Sequence, residues 1–185
     1  MNRNRLRRQS TGYILSGLLL FSWGCGHRIH VAPAPSAVSP TIIPQSLSVV
    51  VPFVALEGAD HMPGIALMEW PAEDLRAATI DYIQSRQTFA SAGDKPADLT
   101  LTVNAWLTMR SRGNYRYRLR LESDLGPSDK PPIKSYLVEK EAMGSSVRWI
   151  TSSDQDPIAE AVQAALDDLL TQIEADYLLY RKGLR

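Results

Sequence analysis

The chain is poor in the residues that usually carry chemistry. Cys25 is its single cysteine, and its three histidines are His27, His30 and His61. One thiol excludes an intrachain disulfide and a cysteine-based metal site, so the fold must be held by packing alone. There is no glycine-rich phosphate loop, no zinc-ligand spacing and no serine, histidine and acid set in motif context, which leaves an enzyme without support. His27 and His30 lie in a proline-rich stretch without further ligands nearby, and His61 lies in a loop containing Gly58, Pro63 and Gly64. All three read as solvated side chains, and neither a metal nor a cofactor is expected. Asp167 and Asp168 stand side by side on a helix, cannot converge on one substrate and read as its solvated face. Also missing is an apolar run of the roughly 20 residues that a spanning helix needs. The stretch from Tyr13 to Trp23 is too short and is broken by Ser16 and Gly17.

That stretch has another reading. Arg3, Arg5, Arg7 and Arg8 precede it as the positive n-region of a bacterial secretory signal, and Gly24 supplies the small residue before a cleavage point. The arrangement resembles the signal of bacterial lipoproteins, with residues 1–24 removed and Cys25 lipidated as the first mature residue. The four box positions here are Ser22, Trp23, Gly24 and Cys25, with Leu20 and Phe21 supplying the apolar element one step early. A competing reading is an ordinary cleaved signal, or an uncleaved anchor, with an incidental cysteine. One acyl chain anchors only marginally, whereas several hold firmly. A triacylated Cys25 is therefore a membrane tether. Gly26 is not the aspartate that retains lipoproteins at the inner membrane, so the resemblance implies the outer membrane on its periplasmic side, with inner-membrane anchoring left open. Four of the 20 basic residues leave with the signal and none of the 20 acidic ones does. The mature chain is thus mildly acidic and lacks the basic footprint of a nucleic-acid binder.

From 25 to 45 the chain is proline-rich, with Pro33, Pro35, Pro40 and Pro44, and reads as an extended tether. Residues 46–180 read as one domain, with 181–185 as a tail. The stretch "SLSVVVPF" predicts a strand with Leu47, Val49, Val51 and Phe53 on one face, Val50 and Val54 on the other, and Pro52 marking an edge or a bulge. A helix follows over "WPAEDLRAATIDYIQSRQTFA", with Pro71 at its first position and an apolar stripe of Leu75, Ala78, Thr79, Tyr82 and Ile83. "SAGDKP" reads as the loop that ends it. Strict alternation in "LTLTVNAWLTMR" and "YRYRLRLESDL" about the turn "SRGN" predicts an antiparallel hairpin. "IKSYLVEKEA" adds a third strand, which "SSVRWI" extends after a bend at Gly144. A final helix starts at Asp156 and Pro157, carries Ile158, Ala161, Val162, Ala165, Leu166, Leu169, Leu170, Ile173 and Tyr177 on one face, and ends at Gly183.

This order, β-α-β-β-β-α, specifies an α+β two-layer sandwich: an antiparallel-rich sheet with two helices on one face. On the opposite face the alternation sets Thr100, Thr102, Asn104 and Trp106 beside Arg116, Arg118 and Arg120. Closing the turn at Arg112 to Asn114 places Trp106 across from Arg120 and Thr108 across from Arg118. Either this is an ordinary wet face in which an arginine stem screens the indole, or it is a cationic partner-binding surface that recognises an envelope protein complex or an anionic lipid head.

The segments "WPAEDLRAATIDYI", "ADLTLTVNAWL", "YRYRLRLESDL" and "DPIAEAVQAALDDLLTQI", within Leu47 to Tyr177, resemble the auxiliary lipoproteins of ABC-type lipid transport systems and the YajG-type lipoproteins. The resemblance implies a lipid-tethered accessory subunit without enzymatic activity, docked on a membrane complex. The alternative class is an assembly factor for the outer membrane or the cell wall.

Overall fold

A computed structural model describes residues 27–57, 68–112, 114–144 and 155–182. Its elements are β1 (His27–Arg28), β2 (Ile43–Glu57), β3 (Met68–Glu69), α1 (Ala72–Arg86), β4 (Phe89–Gly93), β5 (Leu99–Arg112), β6 (Asn114–Gly126), β7 (Lys134–Met143), α2 (Gln155–Ala175) and α3 (Tyr177–Lys182). Five strands form one sheet in the order β4-β2-β5-β6-β7, and β1 pairs with β3 apart from it. The sheet is mixed: β4, β2 and β5 run parallel, whereas β5, β6 and β7 form an antiparallel meander. Both long helices cover one face, giving the α+β layering that the periodicities specify. Cys25, His61, "SSVRWI" and Gly183 lie outside the described residues.

Local pattern produces most of these elements. On β5, Leu99, Leu101, Val103, Ala105, Leu107 and Met109 are all buried, and Tyr117, Leu119, Leu121 and Leu125 of β6 join them. The hairpin closes in the expected register, with Trp106 opposite Arg120, Thr108 opposite Arg118 and Ser111 opposite Tyr115. The expected stripes of both helices are buried as well, apart from Tyr177, which packs against the core while partly exposed.

The structure departs from the sequence pattern at five places. At the first, β2 slips register against β5 between Val50 and Phe53, so that Val50 faces Thr102 but Phe53 faces Asn104. This is the bulge that Pro52 announces, because proline has no N–H to give the ladder. One extra residue reverses the side-chain phase. Phe53 therefore points away from the core that Leu47, Val49 and Val51 enter, and Val54 takes its place against it.

At the second, α1 ends at Arg86 rather than running on to Ala90. Gln87 caps it in the left-handed region at φ 61°, its N–H bonded to the carbonyls of Ile83 and Gln84. The edge strand β4 then takes Phe89 and Ala90 from the expected helix and residues 91–93 from the expected loop, and the Gln84 amide holds it by donating to the Ala92 carbonyl at 2.7 Å. Pro71 is the N-cap, one position before its expected place.

The third departure is the proline-rich segment, which lies along the body as a strap. Ile29 is buried at its start and Ile43 at its end, where the latter already belongs to β2. Between them the Ser39 N–H donates to the Arg86 carbonyl at 2.7 Å, and Ala32 and Pro33 share a recess with Asp156, Glu160 and Asp167 of α2. Arg28 latches the strap to α1 through two 2.8 Å bonds from its guanidinium to the Asp74 carboxylate. That hydrogen bond holds the Asp74 carboxyl below the usual carboxylate range. With a lowered folded-state pKa, the latch is complete at neutral pH and is lost only as pH falls through that depressed value. Asp74→Asn is expected to quicken protease cleavage within the strap at neutral pH while leaving the global unfolding transition nearly in place. Unchanged cleavage would show that the latch does not hold the strap.

At the fourth, the final helix breaks at Asp176, whose carboxylate accepts from Lys134 Nζ at 2.5 Å and from the Tyr136 hydroxyl at 3.1 Å. The Tyr136 hydroxyl also meets that of Tyr180 on α3, and burial pushes the Tyr180 hydroxyl up to about 12.

The fifth concerns Asp167 and Asp168, which are not a solvated face. Asp167 pairs with Arg86 at 2.8 Å and Asp168 with Lys140 at 2.6 Å, one tying α2 to α1 and the other tying it to β7. Arg86 also grips Glu174 through two bonds of 2.9 and 3.2 Å, and Thr88 Oγ1 donates to the same carboxylate at 3.2 Å. A nearly buried ion cluster thus staples the C-terminal ends of both long helices together.

Candidate partner surface

The helices leave the second face of the sheet uncovered among the described residues. In-register neighbours point the same way, so this face carries Val50, Phe53 and Ala55 from β2. Beside them lie Thr102, Asn104, Trp106, Thr108 and Arg110 from β5, Arg116, Arg118, Arg120 and Glu122 from β6, and Leu137, Glu139, Glu141 and Met143 from β7. The four residues singled out from the sequence, Trp106, Arg116, Arg118 and Arg120, all lie on it.

Its middle is aromatic. The Phe53 and Trp106 rings sit 5.5 Å apart, tilted by 58°. On the other side of the indole, the Arg120 guanidinium carbon stands 5.7 Å from the ring centroid. Trp106 is therefore half-buried between a phenyl ring and an arginine. Phe53 remains 46% exposed and Val50 42%, an apolar patch beside a charged ladder.

That ladder is not purely cationic. Arg120 pairs with Glu122 two residues along its own strand, while Arg116 and Arg118 share Glu141 at 3.2 and 3.6 Å. Glu139 faces Arg120 across β6 and β7. The sequence reading of a cationic stripe is corrected accordingly: β7 supplies a parallel row of acids that its irregular pattern concealed. Such exposed pairs contribute about 0–1 kcal/mol each. Charge remains in excess only toward the hairpin end, where Arg110 is exposed and has no ion-pair partner among the described residues.

Phe53, Leu137 and Met143 are members of this face that the sequence did not identify, whereas the alternation already sets Val50 on the side opposite Leu47, Val49 and Val51. For Phe53 a signal exists, because a bulge at Pro52 moves it outward. Leu137 and Met143, 54% and 59% exposed, carried no such mark. Among the described residues no group of three metal-binding side chains converges, and no helix is long and apolar enough to cross a membrane.

No protein-family model matches the sequence, and no curated protein matches it. Solved structures share its fold. Protein XCC0632 from Xanthomonas campestris, described under the family model DUF330, superposes with a TM-score of 0.56 at 13% identity, over 84% of this chain and 96% of that one. The hypothetical protein CT253 from Chlamydia trachomatis gives a TM-score of 0.51 at 9% identity, over 72% of this chain and 98% of that one. A minor lipoprotein from Acinetobacter baumannii overlaps more loosely, with a TM-score of 0.48 at 12% identity over 71% of this chain and 93% of that one. At such identities the likeness to the first two is one of fold.

Proposed function

We propose that the chain is a lipid-anchored, non-catalytic envelope lipoprotein, the accessory binding subunit of a membrane complex that transports lipid. The observation that carries the binding role is the open sheet face, where the exposed Phe53 ring packs on the half-buried Trp106 and Val50 lies exposed farther back along β2. A large apolar patch rimmed by polar groups marks an interaction site more often than a bare solvent surface. Its occupant in this reading is an envelope protein whose apolar residues cover the Phe53 and Trp106 rings. A carboxylate on that protein would take over the Arg120 guanidinium from Glu122. Anchoring rests on the signal-like N-terminus and Cys25, and the transport role on the resemblance of the quoted segments.

The tests are separable. Mass spectrometry of protein from its native envelope should find Cys25 as the first residue, carrying acyl chains; an unmodified thiol would remove the anchor. Trp106→Ala should weaken capture of the partner about tenfold or more, as truncation of a central interface tryptophan does. Stability should fall by only about 1 kcal/mol, since the indole loses one phenyl contact and one cation–π contact. Undiminished capture would take the partner off this face.

A further inference from the structure

The strap alters where an anchored body would sit. If residues 25–45 were a free spacer, the domain would stand well clear of the membrane. Instead the chain is bound to the body from β1 onward: His27 and Arg28 pair with Met68 and Glu69, and Arg28 grips Asp74 in the first turn of α1. Only Gly26 separates Cys25 from β1, a reach of about 7 Å at the extended rise per residue. A lipid on that cysteine therefore holds the body at the headgroups.

The fold also says which end turns that way. Ser39 bonds to the last turn of α1, and Ile43 N–H bonds to the Thr88 carbonyl, so the strap, α1 and the start of β2 meet at one end of the sheet. From there β2 and β5 run together away from it, β5 entering the hairpin with β6, while α1 returns from that side. β1, which follows the anchor residue in sequence, therefore lies beside the first turn of α1, on the hairpin side of the helical layer.

The hairpin end carries an unresolved charge. Arg110 and Arg116 are direct cross-strand partners on the open face, an arrangement of like charges that is unfavourable by itself. Thr108 and Arg118 form the next pair on that face, and Glu57 stands beside Thr108 at the end of β2. Glu141 is the carboxylate that reaches these arginines, shared by Arg116 and Arg118, and Arg110 has none among the described residues. Met143, opposite Arg116, adds an exposed apolar side chain to this edge. The rest of the mature chain is acidic on balance, so this cationic end differs in sign from the body behind it.

We infer that Arg110, Arg116 and Arg118 dock on the phosphates of an anionic phospholipid bilayer, the one that holds the anchor. This rests on the anchored reading above. The hairpin end then lies on the headgroups, and the Phe53 and Trp106 patch farther along the face is left for a protein partner. Guanidinium groups suit phosphate oxygens through paired N–H donors.

The experiment uses the full mature lipidated chain carrying Thr108→Cys, a site opposite Arg118 whose thiol is the only free one once Cys25 is acylated. A nitroxide there is read for accessibility to a water-soluble nickel relaxant, on vesicles of phosphatidylcholine alone and on vesicles with phosphatidylglycerol mixed in. Flotation with both vesicle types should show the anchor at work. Accessibility should fall about threefold or more on the anionic vesicles only, and return in about 0.5 M salt, where screening is strong. The variant with Arg110→Gln, Arg116→Gln and Arg118→Gln should stay accessible on both. Flotation with equal accessibility on the two vesicle types, or the same protection in the glutamine variant, overturns the docking while leaving the anchor intact. Failure to float with either overturns the anchor, and the docking falls with it.

Discussion

Replacing Arg86 by methionine is expected to lower the unfolding free energy by about 3–5 kcal/mol, the range for removing one partner of a buried ion pair. The guanidinium side chain is 10% exposed and the Glu174 side chain 8%. Three residues of α2, Asp167, Thr171 and Glu174, accept hydrogen bonds from it. Its hydrogen bond to Glu174 is the main cause holding the Arg86 pKa above the ordinary value, so the cation persists at every accessible pH. Methionine matches the stem in bulk but leaves the Glu174 carboxylate enclosed, with the Thr88 hydroxyl as its remaining donor. The cost therefore comes from the stranded anion more than from the lost attraction. The double variant Arg86→Met, Glu174→Leu should recover much of it, since replacing both members of a buried pair by apolar groups is often neutral. Urea denaturation of the wild type and both variants measures the difference. A single-variant loss below about 1 kcal/mol would mean that water relaxes into the site and that the cluster staples nothing.

Leu166→Ala should cost about 2–5 kcal/mol, the range for emptying a fully packed aliphatic site. Leu166 has 0% exposure, in the stripe that α2 lays on the sheet between Val162 and Leu169. The same change at Leu137, on the open face and 54% exposed, should stay within about 0.5 kcal/mol. The contrast between two leucines isolates burial from residue type. Similar losses at both positions would contradict the assignment of covered and uncovered faces, and thermal or urea unfolding decides it.

What the sequence reveals here is what repeats locally. Period two wrote out β5 and β6 together with their register, because the turn between them is short and leaves one pairing that keeps both apolar sets on one side. Period near 3.6 did the same for both long helices. The failures are the features that depend on distant partners. The phase change at Pro52 is defined only against β5, and "FASAG" has no alternation because β4 is an edge strand of small residues. The strap hangs on Ile29 and Ile43, two apolar anchors among prolines. Arg86 could have been found: it follows Tyr82 by four and Ile83 by three, continuing the buried stripe of α1, and Glu174 does the same after Leu170. A charge at a core-facing position on each of two helices is the signal of a buried pair. On the open face, Trp106 and its cross-strand arginines were legible, whereas Phe53 was hidden by the bulge and Glu141 by the uneven pattern of β7.

The place of β2 between β4 and β5 sets the order in which the chain can assemble. Leu47 pairs with Leu99 and Glu57 with Thr108, each across a long stretch of intervening chain, while β5, β6 and β7 join through short turns. Closing a long loop costs entropy before any contact rewards it, so pairings between sequence neighbours form faster. The meander is thus the natural nucleus, and β2, earliest of the five sheet strands in the chain, waits for it with a row of valines unpaired. Until then that strand is the segment most exposed to aggregation and most in need of a chaperone.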